Sequence, residues 1–299
     1  VSNAQQWVVN VNLMWLPAKD LTILTALRYT NENKQSSSTF LETTTRTDPL
    51  IPIAASSFEN FNTVAETLEL RYAGVANWLF YARGDWQEQN GDIHFSTRVI
   101  GESGDSAIEN LDLLWQKYTV GFDWYPLQRL NLAGQYYYKT LRYDNSSNAD
   151  HQNLVFQDWS INDFNIRLTW RPNLPPSLGT LALVTRYDYT TSLVIGQWNI
   201  PEDVLLDSEH TAWISNQVIS ESVTWNPLAR LYLQGDFSYV LNQTKTPAAN
   251  IVIVPGAGPT VLNFQSDYWT IGGSVGFLMN DKTEFRVGYN YYRAADYVN

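Results

Sequence analysis

Apolar and polar residues alternate at every second position over most of this chain, and this alternation constrains the fold more than any other feature. From Trp7 to Trp15 every odd-numbered residue is apolar, with Asn10 and Asn12 between them. A similar run ends the chain, from Phe285 through Tyr291. A period of two is typical of a β-strand with one apolar face, whereas an amphipathic helix repeats every 3.6 residues. The pattern therefore predicts an all-β protein.

The length and spacing of the alternating runs predict a membrane barrel. No stretch approaches the ~18 continuous apolar residues of a membrane helix. We instead expect about twelve strands of roughly ten or more residues, the length that a tilted strand needs to cross a bilayer. Short turns are predicted near 17–20, 74–77, 126–129, 172–178, 227–230 and 279–282. Longer polar connections are predicted at 31–62, 92–110, 145–162, 197–211 and 244–265.

Short turns that alternate with long polar connections are the layout of outer-membrane barrels. We therefore predict one domain, residues 1–299, that is an antiparallel up-and-down transmembrane β-barrel of the bacterial outer membrane, in contact with its lipid. Both ends would lie on the long-loop side, whereas complete barrels usually have both termini in the periplasm. We therefore expect at least one further strand at each end, giving fourteen or more in the whole protein.

The composition agrees with this prediction and excludes several classes of protein. Aromatic residues make up 14% of the chain and charged residues 16%, against about 25% charged in a soluble domain. The net charge of −11 and the absence of a basic stripe argue against nucleic acid as a partner. Because the chain has no cysteine, it has no disulfide, thiolate metal site or thiol nucleophile.

If the apolar register faces lipid, the residues between must face the lumen. A charge on the lipid face costs about 2–4 kcal/mol at mid-bilayer, so the charged residues of the strands are expected inside. The predicted lumen-lining residues are Arg28, Glu69, Arg71, Arg83, Asp85, Asp123, Lys139, Arg167, Arg186, Asp188, Asp236, Glu284 and Arg286. Their mixed signs predict a wet interior crossed by ion pairs. Glu221 is an exception, because it shares the apolar register of 212–225 and indicates a bulge or a short edge of the lipid band.

Aromatic residues near the turns are expected to mark the membrane interfaces. A weak repeat of Trp-x-Pro before a short turn, followed by Leu, appears at Trp15–Pro17, Trp124–Pro126 and Trp225–Pro227. Proline ends the strand pairing, and tryptophan is stable at the headgroup level. We assign Trp15, Trp78, Trp124, Trp170 and Trp225 to the periplasmic interface. The outer girdle is assigned to Tyr29, Tyr137, Tyr143, Tyr187, Tyr189, Tyr239 and Tyr292.

Catalytic and metal-binding motifs are weak in this sequence. His94, His151 and His210 each have an acidic neighbour, but no two histidines have the spacing of metal ligands. No G-x-S-x-G elbow, Walker loop, dinucleotide fingerprint or EF-hand loop is present. We therefore predict a protein that is not an enzyme, with no catalytic residue, metal or cofactor of its own.

The repeated hairpin resembles those of the MtrB/PioB family of outer-membrane barrels. The matching residues are Trp124, Pro126, Leu130, Tyr136, Tyr138 and Tyr143-Asp144-Asn145, with further matches at Trp15–Pro17, Trp225–Pro227 and Tyr187-Asp188-Tyr189. The resemblance implies a large barrel that sheathes a multihaem c-type cytochrome and binds no haem itself. Some members carry a cysteine pair near the N-terminus, which this sequence lacks.

Two functions stay open at this point. The first is a porin-like channel for ions or small solutes. The second is a sheath around a multihaem cytochrome in an extracellular electron-transfer conduit.

Overall fold

The computed structural model describes residues 2–42, 51–99, 105–147, 153–199, 209–246, 263–280 and 282–298. The strands are β1 (Ser2–Ala18), β2 (Leu21–Glu42), β3 (Ile51–Tyr72), β4 (Trp78–Val99), β5 (Asp105–Leu127), β6 (Leu130–Ser147), β7 (Asn153–Trp170), β8 (Thr180–Asn199), β9 (Glu209–Leu228), β10 (Leu231–Lys245), β11 (Asn263–Asn280) and β12 (Thr283–Val298). A 3₁₀ turn, Pro176–Leu178, lies between β7 and β8. No helix in these ranges is long and apolar enough to cross a bilayer.

All twelve strands form one sheet in which each strand pairs with its neighbours in the sequence. The spatial order runs from β1 to β12 without a crossover, and every pairing is antiparallel. This is the up-and-down arrangement that the sequence predicts, with the predicted number of strands. The six short turns also lie where the sequence places them, at one edge of the sheet.

The strands extend into the segments predicted as long connections, which are correspondingly shorter than predicted. The strands contain 15 residues in β10 to 23 in β5, within the prediction of roughly ten or more. The hairpin of β2 and β3 pairs continuously from Leu21–Tyr72 to Glu42–Ile51, through most of the segment predicted as the connection 31–62. These segments carry polar residues on both faces, so their composition resembles that of a loop and led to the prediction of connections. In the sheet they form cross-strand hydrogen bonds instead, such as Asn31 Nδ2 to Asn62 Oδ1 at 2.9 Å.

The strand register is regular through the middle of every pairing. The irregularities lie near strand ends, for example between Trp124 and Leu127. The bulge considered at Glu221 is not present, because Glu221 pairs in register with Phe237 on one side and Thr185 on the other. Glu221 therefore lies on the apolar face of a regular strand.

The two faces of the sheet differ in burial as well as in polarity. On β3, Thr63, Ala65 and Thr67 are half-buried and Glu69 is 8% exposed, whereas Leu68 and Leu70 on the opposite face are exposed. The most buried side chains of the described ranges belong to Val240, Thr30, Glu69, Asp85 and Thr119, at 5–8% exposure. The strand pairings show that all five side chains lie on the same face of the sheet. Because side chains crowd on the inside of a curved sheet, this face is the concave one.

The sheet has two outer strands, each paired on one side. β1 pairs with β2 and β12 with β11, and no pairing joins β1 to β12 within the residues described. Every residue of β1 is exposed, including Trp7 at 65% and Trp15 at 58%. Within the described residues the sheet is therefore open between β1 and β12.

Candidate functional site: the charged face of the sheet

The thirteen charged residues that the sequence assigns to the lumen all lie on the concave face. The registers connect them from strand to strand: Glu69 lies opposite Arg83, and Arg167 lies opposite Arg186. Paired residues share a face, and so do alternate residues of one strand. By this relation all the other members lie on the same face, from Arg28 on β2 to Glu284 and Arg286 on β12. We refer to this surface as the charged face and to the opposite surface as the apolar face.

The thirteen predicted residues are nearly balanced in charge although the chain is strongly acidic. Seven of them are basic and six are acidic, a net charge of +1, whereas the whole chain has a net charge of −11. The excess of negative charge therefore lies outside these thirteen residues. A wall of balanced charges can stay hydrated without holding one sign of mobile ion at high density.

The densest group of charges lies on β3 and β4. Glu69 accepts a hydrogen bond from Arg71 Nε, and Arg83 Nη1 lies 3.7 Å from Glu69 Oε2. Arg83 also binds Asp85 through Nη2 at 2.7 Å and Nε at 2.9 Å, and Thr67 donates to Asp85 at 2.8 Å. Both carboxylates are 10% exposed at the side chain, whereas the two guanidinium groups are about half exposed. The acids are thus fixed against the sheet, and the arginines cover them on the concave side.

Tyr81 connects this group to the next strands by lying across a glycine. Its ring lies over Gly121, where a Cβ atom would come within 2.4 Å of Tyr81 Cζ and Oη. The hydroxyl then donates to Gln135 Oε1 on β6 at 3.0 Å. The absence of a side chain at Gly121 lets Tyr81 reach across three strands. Two adjoining depressions, of about 370 and 420 Å³, share Tyr81 and Gln135 in their walls.

Further along the face, the predicted residues form hydrogen bonds with neutral side chains or with one another. Arg186 pairs with Asp188, which also accepts from Asn165. Asp236 accepts from Ser222 at 2.8 Å. Glu284 accepts from Tyr232, and Arg286 Nη2 donates to Gln234 and Ser274 at 3.2 and 3.1 Å. These contacts connect side chains of β7 to β12 along the charged face.

Lys117, Tyr81, Tyr137 and Asp163 belong to the charged face but are absent from the residues predicted for it. The signal was available for Lys117, because it lies six residues before Asp123 and shares its parity. Tyr81 and Tyr137 were obscured by neighbouring aromatic residues, since a run such as Tyr136-Tyr137-Tyr138 fits either register.

Towards the long connections the charged face bears Glu32 and Lys34, which form an ion pair at 3.0 Å. The hydrogen bond and the charge of Glu32 raise the pKa of Lys34 above its ordinary value. Lys34 is well exposed, so this pair contributes little to stability.

The five tryptophans assigned to an interface lie together on the apolar face, at the short-turn edge. Trp78 and Trp124 are opposite each other, and their rings stack. Trp225 Nε1 donates to the Leu178 carbonyl oxygen at 2.8 Å, which ties β9 to the 3₁₀ turn. Trp15 and Trp170 occupy equivalent positions on β1 and β7.

The tyrosine girdle is only partly as predicted. Tyr29, Tyr187, Tyr189 and Tyr239 lie on the apolar face. The assignment is wrong for Tyr137, Tyr143 and Tyr292, which lie on the charged face. Their sequence neighbours Tyr136, Tyr138 and Tyr291 occupy the apolar face instead. In consecutive aromatic residues the polarity pattern does not tell which ring points outward.

The histidines give no metal site within the described ranges. His94 Nε2 lies 2.8 Å from Asp92 Oδ2, as an isolated pair on the apolar side of β4. His151 and Asp150 lie outside the described residues, as do the side chains of His210 and Glu209. Within the part of the chain that the structure describes, no three His, Asp or Glu side chains are grouped as metal ligands.

Comparison with known proteins supports the fold. No family model and no curated protein matches the chain. Among solved structures, it is similar to a chain of the RagAB peptide importer in its "closed-closed" state, with a TM-score of 0.52, 9% identity, and coverage of 100% of this chain and 47% of that chain. A structure of the RagAB peptide transporter gives the same values. The ferric yersiniabactin uptake receptor FyuA from Yersinia pestis aligns with a TM-score of 0.40 and 12% identity, over 99% of this chain and 60% of that chain.

These solved structures are outer-membrane β-barrels. At such low identity the similarity to RagAB concerns the fold alone, and it agrees with the antiparallel up-and-down sheet described above. The chain spans about half the length of the RagAB chains that it matches.

Proposed function

We propose that this chain forms part of the wall of a water-filled pore in the bacterial outer membrane, through which ions or small solutes pass. The observation that carries the proposal is the separation of the two faces. The thirteen predicted charged side chains lie on the charged face, which is concave, while tryptophan, tyrosine and aliphatic side chains are exposed on the apolar face. An exposed aromatic surface of this extent is stable in lipid, and a concave charged surface is stable against water.

The dimensions of the apolar band support a position in a bilayer. On β1, Trp7 and Trp15 lie on the apolar face, eight residues apart. At about 3.4 Å per residue and a tilt of about 40°, this separation corresponds to roughly 20 Å along the membrane normal, near the ~25 Å band of outer-membrane barrels. Beyond the band the strands continue with polar side chains, so the sheet would project out of the membrane on the side of the long connections.

A pore also requires the sheet to close. Unpaired strand edges cannot remain exposed to lipid, because their peptide groups would lose all hydrogen-bonding partners. Since β1 and β12 are not paired within the described residues, we propose that additional strands lie between them in the assembled pore. Antiparallel closure needs an even number of strands, which gives fourteen or more, and barrels of that size enclose an aqueous channel.

The test is conductance of the full-length protein in planar lipid bilayers. We expect stepwise current increases in 1 M KCl, each of fixed size. The matched control is the same preparation denatured in urea before addition, which should give no steps. Full-length protein that inserts into the bilayer but carries no current would contradict an open pore.

The sheath around a multihaem cytochrome is the second candidate, and the breadth of the sheet favours it. A barrel made of these twelve strands and further ones would be wide enough to enclose a folded partner. The resemblance of the hairpins to the MtrB/PioB family points in the same direction. A visible absorption spectrum of the complex extracted from native membranes distinguishes the two candidates. A Soret band at multihaem stoichiometry would support the sheath, since this chain has no cysteine for haem attachment. A colourless complex that conducts ions would contradict the sheath and support the pore.

A further inference from the structure

Two lysines on the charged face lie opposite each other without a carboxylate partner. Lys117 on β5 pairs in register with Lys139 on β6, which places their Cβ atoms about 5 Å apart. Both side chains are half-buried. In the described ranges no carboxylate oxygen lies within 4.0 Å of either Nζ atom, although the arginines on β3, β4 and β8 have such partners. Like charges at directly opposed positions destabilise a sheet, so this pair needs an explanation.

The neighbouring carboxylates are already engaged. Asp85 lies opposite Lys117 on its other side, but it accepts hydrogen bonds from Arg83 and Thr67. Asp163 lies one row towards the short turns, and it accepts from Thr190 at 2.6 Å. Asp85 is thus paired with Arg83, and neither carboxylate lies within 4.0 Å of a lysine Nζ atom.

Aromatic rings hold the lysines in place. Lys117 Nζ lies 4.1 Å from the centre of the Tyr137 ring, and Lys139 Nζ lies 5.4 Å from that of Trp115. Each ring stabilises an ammonium group without neutralising it. The two charges thus stay on the concave surface with their remaining hydrogen-bond donors unused by carboxylates.

The adjoining row of the charged face is apolar. Directly beyond the lysines, towards the long connections, Trp115 lies opposite Leu141, Leu141 opposite Trp159, and Trp159 opposite Val194. Ile161 extends this surface beside Lys139. An apolar strip next to two cations matches a molecule with an apolar body and an anionic end.

We propose that the lysine pair and this apolar strip bind a small amphipathic organic anion, a carboxylate or sulfonate joined to an aromatic body. The anionic group lies between Lys117 and Lys139 and receives a charge-assisted hydrogen bond from each. The aromatic body lies along Trp115, Leu141 and Trp159. The inference rests on the proposed function, because it requires the charged face to be open to solute in the lumen.

The binding test uses the full-length protein in a non-ionic detergent and 2-naphthalenesulfonate as the probe. Isothermal titration calorimetry should give saturable binding with one site per chain. The neutral analogue 2-naphthalenemethanol, which retains the ring and lacks the anion, should bind at least about tenfold more weakly, because two charge-assisted hydrogen bonds are lost. Equal binding of the two probes would overturn the proposal.

Variants of the protein test the lysines. The double substitution Lys117→Gln and Lys139→Gln should weaken 2-naphthalenesulfonate binding at least about tenfold, and Lys117→Arg with Lys139→Arg should retain most of it. The control Lys245→Gln removes a lysine from the apolar face and should leave binding unchanged. Far-UV circular dichroism identifies any variant that has lost its strands. The site does not exist if a folded Gln double variant binds the probe as well as the natural protein does. Probe binding that does not saturate would lead to the same conclusion.

Bilayer conductance of the same preparations separates this proposal from the pore itself. The absence of current would contradict the pore, whatever the calorimetry shows. Current without saturable probe binding would contradict the anion site alone. When both proposals hold, 2-naphthalenesulfonate should reduce the current through the natural protein at concentrations about tenfold lower than through the Gln double variant.

Discussion

Trp78 and Trp124 lie directly opposite each other on β4 and β5, with their ring centroids 5.2 Å apart and their planes 17° from parallel. Phe80 stacks on Trp78 from the same strand at 5.3 Å, and Phe122 lies 5.5 Å away. These four rings form one aromatic group at the short-turn edge of the apolar face. Its position is the one that amphipathic rings take at a membrane interface.

The tryptophan pair should show a measurable coupling energy. Replacing each residue by alanine, singly and together, should give an interaction free energy of about 0.5–1.5 kcal/mol, because stacked rings stabilise each other beyond the area that they bury. The measurement is urea unfolding of the full-length protein in phospholipid vesicles. Trp78→Ala combined with Trp170→Ala is the control, since those two rings are not in contact, and its effects should add. Additive effects for Trp78 and Trp124 would contradict the coupling.

Glu221 should destabilise the membrane-inserted protein. It lies on the apolar face of β9, four residues from Trp225, and the hydroxyl of Thr185 donates to it. A carboxylate at this depth costs free energy, so Glu221→Leu should raise the free energy of unfolding in vesicles by about 1–2 kcal/mol. Glu284→Leu is the matched control on the charged face. It removes the acceptor of Tyr232 and should give no stabilisation. A decrease in stability for Glu221→Leu would mean that this part of β9 does not face lipid.

The sequence predicts the fold and the two faces well because both depend on a repeat of two. One misplaced register would have moved Glu69 and Arg83 to opposite faces, yet all thirteen predicted residues share one face. The prediction failed where polarity no longer alternates. Asn31, Asn33, Asn60 and Asn62 lie in a segment predicted as a loop, but Asn31 donates to Asn60 and Asn62 across β2 and β3, and Asn33 donates to Asn31 along β2. Cross-strand partners are set by register, which a single sequence does not reveal beyond the apolar band.

Individual contacts on the charged face could not be predicted from the sequence either. The position of Tyr81 over Gly121 depends on which residues the pairing of β4 and β5 brings together. The lack of a carboxylate at Lys117 depends on Asp85 being engaged by Arg83 and Thr67. Residue type and parity place a side chain on a face, whereas its partner follows from neighbouring strands.

Ion selectivity should depend on the acids of β3 and β4. Glu69→Gln together with Asp85→Asn leaves Arg71 and Arg83 without counter-charges on the concave face. The local field becomes more positive, so the reversal potential in a tenfold KCl gradient should shift towards that of chloride. The control Glu66→Gln removes an acid from the apolar face of β3 and should shift it much less. No shift in the double variant would contradict a lumenal position for these residues.

Gly121 should be required for the position of Tyr81. In Gly121→Val the new side chain would occupy the space of the Tyr81 ring, which must move and release its hydrogen bond to Gln135. We expect a loss of about 1–3 kcal/mol in the free energy of unfolding, as is usual for overpacking. Tyr81→Ala removes the obstructing ring, so Gly121→Val should cost much less in that background. The four proteins can be compared by urea unfolding in vesicles. If Gly121→Val costs the same with and without the Tyr81 ring, the clash with Tyr81 is not its cause, and the backbone carbonyl oxygen of Gly134, 2.8 Å from the Cβ position, would explain the cost instead.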